Sequence, residues 1–465
     1  MAVRLLRDGE RDFVVLERAG GVGGTWRDNT YPGCRCDVPS HLYSFSFAPN
    51  PAWSSTFSGQ AEILEYLRDV ASRFGVLEHV RFDHELLAAD WDEQAACWRL
   101  ETSRGPLSAD VLVAGQGPLS EPRLPKVPGI DSFEGTLFHS ARWDHGHDLS
   151  GQRVAVVGTG ASALQLVPRI QPRVARLYVF QRSPPWVVPH PVRELRPLEH
   201  AVYRRVPPAQ RAMRAGIYWA RESFLFQFRH RRMRRLATRV ALRQLERQVP
   251  DPALREKLTP RYEIGCKRIV PTNEWYPALQ RPNVEVVTEA VRELRPRSVV
   301  AADGSEREVD TVILATGFHV TDVPIARQIR GRGRRSLADH WNGSPHAYKG
   351  TSVAGFPNLF LMVGPNTGLG HNSIVFMIES QISFVADALR TMRARGARTV
   401  EVHAGAERAY NRRVDEMARG TVWLTGGCAS WYLDQSGRNS TLWPTFTLPF
   451  HRGTRAFDEE AYALA

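Results

Sequence analysis

Apolar residues along this chain follow two periods. Phe13-Val-Val-Leu16, Val111-Leu-Val-Ala114, Val154-Ala-Val-Val157, Leu177-Tyr-Val-Phe180, Val284–Val287 and Thr311-Val-Ile-Leu-Ala315 are short apolar runs. Runs of this length predict buried strands of the kind found in parallel sheets. Helical spacing marks Ala2 to Leu6, Ser58 to Phe74 and Ile374 to roughly Arg395. From about 195 to 260 the chain turns helical, Arg-rich and aromatic, with Ile217-Tyr-Trp219, Phe224-Leu-Phe-Gln-Phe228 and Arg229 to Arg235. Short strands also follow one another between Val80 and Leu107. Strands alternating with helices predict an α/β fold.

Length and composition narrow this reading. At 465 residues the chain is too long for one core, and two to three domains are expected. No run approaches the ~18 apolar residues of a membrane span, and the N-terminus lacks the apolar stretch of a secretory signal. Five scattered cysteines predict reduced thiols and a cytoplasmic protein. Cys34-x-Cys36 is too tight for a usual metal pair, and no metal site is expected. The net charge of +12 rests almost wholly on Arg. No nucleic-acid-binding motif accompanies it, so we assign it to composition and to a polyanionic cofactor. The basic helical stretch is read as an inserted subdomain over a pocket, without membrane contact.

The run Val154–Val157 enters Gly158-Thr159-Gly160-Ala161-Ser162-Ala163, and Gln165 follows in the next predicted helix. A strand, a G-x-G-x-x-A turn and a helix supply the tight bend and free N–H groups that a pyrophosphate needs. The next strand ends in Gln181-Arg182-Ser183 with no acid. Arg182 suits the 2′-phosphate of NADP, whereas an acid would hold the free hydroxyl of NAD. Glu17 ends an earlier strand, as the ribose-binding acid of a second nucleotide unit does. Counting back from it places that unit's first strand and glycine turn before residue 1, so the chain reads as N-terminally truncated.

Between the two units lies Phe133-x-Gly135-x-x-x-His139-x-x-x-Trp143-Asp144. This pattern resembles the fingerprint of Baeyer–Villiger monooxygenases. Further motifs follow in the family's order: Arg35-Cys36-Asp37, Lys267-Arg268, Ala315-Thr-Gly317 and Gly364-Pro-Asn-Thr-Gly-Leu-Gly-His371. The resemblance runs from Glu17 to Trp443. It implies two Rossmann-like domains, for FAD and NADPH, with a helical insertion at about 195–265. The FAD domain would comprise 1–145 and 331–465, and the NADPH domain 146–330.

The activity implied is oxygenation of a ketone by O2 to an ester or lactone, through a C4a-peroxyflavin formed on FAD after reduction by NADPH. By similarity Arg268 is the catalytic guanidinium, and Asp37 is the carboxylate that orients it. FAD would be met by Glu17, Gly24, Thr25, Trp26, Asp37, Val38, Tyr43 and Gln116. NADP would be met by Arg35, Cys36, Asp37, the turn 158–163, Gln165, Arg182, Ser183, Lys267 and Arg268. His139 and Trp143 would shape the contact between domains. Cys428-Ala-Ser-Trp431-Tyr432 and Leu442-Trp443-Pro resemble a segment bordering the substrate pocket. Two alternatives stay open at this point: a related enzyme oxidising sulfur or nitrogen, and a truncated remnant with impaired catalysis.

Overall fold

The computed structural model describes residues 1–465. Its largest sheet holds five strands, in spatial order Val284–Val287, Arg176–Phe180, Arg153–Val157, Thr311–Leu314 and Thr136–His139, all parallel. Val154, Ala155, Val156, Leu177, Val179, Val312 and Ile313 are completely buried. Both faces are covered, which is why these strands read as unbroken apolar runs. The Ala161–Ile170 helix lays Leu164, Leu166, Val167 and Ile170 on one face. The antiparallel strands Val291–Arg295, Ser298–Ala301 and Glu306–Glu308 pack on the other through Leu294, Val299 and Ala301.

Two glycines are fixed by this sheet. At Gly135 a Cβ would stand 2.4 Å from the Asp310 carbonyl oxygen. At Gly158 it would stand 2.4 Å from the Ala315 carbonyl oxygen, and φ is +113°. Neither position has room for a side chain.

The remaining strands form smaller sheets. Ile329–Arg330, Leu86–Asp92, Cys97–Thr102 and Leu107–Ala109 make a four-stranded sheet around Trp91, Trp98 and Leu100. Val15–Leu16 pairs in parallel with Val80–Arg81, and Leu112–Ala114 with Leu359–Leu361. The buried strand expected at Phe13–Leu16 is thus corrected. It shrinks to two residues, and Val14 and Val15 are exposed at 41% and 36%. With hydrogen bonds on one side only, it has no second neighbour to cover it. Leu112 and Val113 stay half-buried for the same reason.

Helices Pro197–Arg205, Pro207–Glu222, Leu225–Arg229, Arg231–Gln248 and Pro252–Leu258 fill the Arg-rich stretch. Glu222 anchors them. Its carboxylate, 2% exposed, accepts from Asn372 Nδ2 at 2.6 Å, Thr447 Oγ1 at 2.9 Å and Thr447 N–H at 3.0 Å, and faces His371 Nε2 at 3.2 Å. No helix is long and apolar enough to cross a membrane.

The expectation of five free thiols is also corrected. Cys266 and Cys428, 162 residues apart, form a disulfide, while Cys34, Cys36 and Cys97 are free. Sequence spacing gave no sign of this pair. The two cysteines meet because Val422, Trp423, Tyr432 and Leu442 pack around Cys266 in one apolar cluster.

Two expected outcomes follow from these burials. Glu222→Ala removes one side of a buried polar network and leaves His371 and Asn372 facing a void. It is expected to cost about 3–5 kcal/mol in urea-induced unfolding; a loss below about 1 kcal/mol would show that Glu222 is not the anchor. His139, 3% exposed, accepts the Ala141 N–H on Nδ1 at 3.1 Å, and burial lowers its pKa to about 4. The unfolded chain therefore takes up a proton below about 6.5 that the fold refuses. Stability is expected to fall from pH 6.5 to 4, less steeply in His139→Gln, as read from unfolding midpoints across that range.

Candidate active site

The sheet brings the nucleotide turn against the loop 31–37. Gln165, in the first turns of the Ala161–Ile170 helix, accepts on Oε1 from Tyr31 OH at 3.0 Å and from the Arg35 N–H at 3.3 Å. Its Nε2 donates to the Arg35 carbonyl at 3.0 Å. One amide side chain thus holds the loop by both backbone groups of Arg35. That helix has Gly160 as N-cap and no side-chain cap. Its first N–H groups stay available for an anion.

Beyond the turn, three polar groups converge at the end of the Arg176–Phe180 strand. Lys267 Nζ donates to Ser183 Oγ at 2.7 Å, and the Thr159 hydroxyl donates to the Ser183 carbonyl at 3.1 Å. Burial lowers the Lys267 pKa, and the nearby Arg182 guanidinium adds to this. Two cations brought this close repel each other, an arrangement that a phosphate dianion relieves. The residues present fit a 2′-phosphate on this ground.

The centre of the site is an ion pair. Arg268 donates from Nε to Asp37 Oδ2 at 2.7 Å and from Nη2 to Oδ1 at 2.6 Å, a fork-to-fork contact. Burial works against the Asp37 carboxylate, but the Arg268 guanidinium outweighs it and holds the pKa below the usual carboxylate range. Asp37 in turn raises the pKa of Arg268. Cys36, buried beside this pair, has its thiol pushed up by burial and by Asp37.

Two neighbours complete the surroundings of the pair, and the first was not singled out from the sequence. Arg221, on the Pro207–Glu222 helix, adds a second positive charge near Asp37, and its buried Nε has no partner. Burial lowers its pKa. No sequence signal separates it from the many other Arg residues of that stretch. The second neighbour, Tyr432, belongs to the segment read as bordering the pocket. It is buried against Arg268, and burial pushes its phenol up to about 12. The Cys266–Cys428 disulfide ties its segment to the one carrying Lys267 and Arg268.

The candidates for FAD fall into two groups. Trp26 Nε1 donates to Tyr43 OH at 3.1 Å, and Val38 and Tyr43 pack in one cluster with Trp26 beside Asp37. Gly24 is the N-cap of the short Thr25–Asp28 helix, at φ +49°. Glu17 lies apart from Asp37; it accepts from the Ala19 N–H at 2.9 Å and pairs with Arg27 at 3.0 Å. Gln116 lines a cleft with Gly117, Met362, Gly364, Pro365 and Thr441. That cleft joins the end of the Leu112–Ala114 strand to the Gly364-Pro-Asn motif. Its lining mixes apolar side chains with Gly, Ser and Thr and carries no charged residue.

The fingerprint is dispersed. Phe133 packs under the antiparallel strands, Trp143 meets Phe138 edge-on at 5.1 Å, and Asp144 caps the Gly146 N–H at 2.9 Å on the surface. His139 ends the edge strand and meets Phe318 edge-on at 5.8 Å. None of these side chains touches Asp37 or Arg268.

Comparisons with known proteins agree with this geometry. Residues 8–327 match the family model described as flavin-binding monooxygenase-like. A Baeyer–Villiger monooxygenase of Streptomyces coelicolor is 53% identical over 100% of this chain and 90% of its own. A second, from Pseudomonas aeruginosa, is 47% identical over 100% of this chain and 89% of its own. Among solved structures, cyclohexanone monooxygenase of Rhodococcus sp. Phi1 bound to NADP+ superposes with a TM-score of 0.87 at 28% identity, covering 100% of this chain and 96% of that one. The parallel sheet, the glycine turn and the full-length match carry one conclusion: the chain belongs to the flavin-binding monooxygenase family, among the Baeyer–Villiger monooxygenases.

Proposed function

We propose that this chain uses FAD, NADPH and O2 to insert one oxygen atom beside a ketone carbonyl, giving an ester or lactone, NADP+ and water. The observation that carries the reading is the bidentate Arg268–Asp37 pair, set beside the loop that Gln165 holds to the nucleotide turn. Bound flavin, reduced by NADPH, supplies the electrons that activate O2. The chain's own residues hold and polarise.

The Ala161–Ile170 helix presents its N-terminus to the pyrophosphate of NADPH. Arg182, Ser183 and Lys267 take the 2′-phosphate. Arg268 carries a fixed positive charge to the place where negative charge develops on oxygen as the ketone carbon becomes tetrahedral. A guanidinium suits this task because it cannot give up its proton to an oxygen anion. Asp37 fixes the fork of Arg268 and keeps its net charge modest, so that the pair tolerates both resting and charged states. Tyr432 and the apolar wall around it shield one side of this charge.

Three outcomes test the reading. The purified chain, loaded with FAD and offered isotopically labelled O2 and a panel of ketones, is expected to place one labelled oxygen in the ester. Oxidation of a thioether with no ketone turnover would instead assign it to the sulfur-oxygenating relatives. Arg268→Ala is expected to lower ester formation by about 10²–10³-fold, the usual loss of one charge-stabilising donor. Arg182→Ala is expected to raise KM for NADPH about 10-fold or more, one lost charged contact, while leaving NADH use nearly unchanged. Equal effects on both nucleotides would remove Arg182 from the phosphate site.

A further inference from the structure

Away from the ion pair, three side chains converge with no role in the reaction. His340 sits in the short Leu337–Trp341 helix, His346 in the loop after it, and Glu407 in the first turn of the Ala404–Ala418 helix. Their ligating atoms all lie within 4.8 Å of one another. His346 Nε2 stands 3.6 Å from Glu407 Oε1. Ligands about 2.0–2.1 Å from a tetrahedral ion are roughly 3.4 Å apart, so modest side-chain rotation closes the set.

The polar accounting is what singles the cluster out. Glu407 is 3% exposed; its Oε2 accepts the Ala354 N–H at 2.9 Å, while its Oε1 is buried with no partner. His340 Nε2 is likewise buried and unpartnered. His346 Nδ1 donates to the Ser344 carbonyl at 2.9 Å, which leaves its Nε2 lone pair aimed at the cluster. Trp341 Nε1 donates to the His346 carbonyl at 2.7 Å and fixes the loop. Two orphaned buried atoms and the open Nε2 of His346, all facing one point, are costly unless a cation lies between them.

No side chain supplies that cation. Arg438 donates to Asp415 at 2.7 Å and to the Pro345 carbonyl at 2.8 Å. Arg335 donates to the Asp339 carbonyl at 3.1 Å, and Arg408 is exposed. None of the three makes an ion pair with Glu407.

We propose that His340, His346 and Glu407 bind a divalent transition-metal ion of the zinc class. Two imidazoles and one carboxylate suit zinc, cobalt and nickel better than calcium or magnesium, which take all-oxygen sets. The His346 side chain is 32% exposed, so the fourth position opens to solvent and takes water. The ion ties the Leu337–Trp341 helix to the Ala404–Ala418 helix. It lies directly behind Trp341 and Pro345, which wall the cleft that Gln116 lines. Its role is to brace that wall.

The test uses untagged, flavin-loaded protein, dialysed against chelator and titrated with Zn2+ in competition with a chromophoric chelator, and separately with Co2+. One Zn2+ per chain is expected, with visible Co2+ absorption typical of a four- or five-coordinate site. His346→Gln and Glu407→Gln are each expected to weaken binding about 10–100-fold. Zn2+ is expected to raise the melting temperature of the parent protein and not of either variant. Binding no tighter than in a His340→Gln/His346→Gln double variant would overturn the site. Equal affinity across parent and single variants would do the same, by assigning the metal to surface histidines. If Glu407→Gln does not fold, His346→Gln alone decides, since its ring is already part-exposed.

Discussion

The pairing of Arg268 with Asp37 is the constraint around which this molecule is arranged. A half-buried guanidinium and carboxylate each lose part of their solvation, and a well-aligned contact offsets that. Alignment here requires parts of the chain 231 residues apart to agree within a few tenths of an ångström. The five-stranded sheet, the Gln165 contacts to Arg35 and the Cys266–Cys428 link all serve that agreement. Arg221 makes the local balance positive.

The insertion helices solve a different problem. They bring many exposed Arg residues, yet they close over the site by way of one buried acid, Glu222, and its contacts to His371, Asn372 and Thr447. Apolar packing by Leu225 and Phe228 against Trp423 and Cys266 completes the seal. A polar anchor fixes the register of the lid-like segment where apolar packing alone would permit sliding.

Much of this was legible in the chain itself, and what was not has physical reasons. The strands of the large sheet announce themselves because burial on both faces selects apolar residues in Val154–Val157 and Val312–Leu314. Gly158 and Gly135 are legible because a carbonyl occupies the space of their missing Cβ. Phe13–Leu16 misled, since an apolar run says nothing of whether a neighbouring strand will cover it. Cys266 and Cys428 pair through tertiary packing that leaves no spacing signature. Arg221 was hidden by composition: one buried Arg cannot be told from its many solvated neighbours until its helix is placed. His340, His346 and Glu407 escaped because their spacing of 6 and then 61 residues matches no local ligand motif.

The two-ended grip of Gln165 on Arg35 makes the glycine-turn helix and the Asp37 loop a single degree of freedom. The Ala161–Ile170 helix cannot shift without carrying Arg35, and Asp37 is two residues further along the same loop. Any movement of that helix therefore changes the direction in which Asp37 holds Arg268. One uncharged side chain thus couples the glycine turn mechanically to an ion pair on the loop it grips.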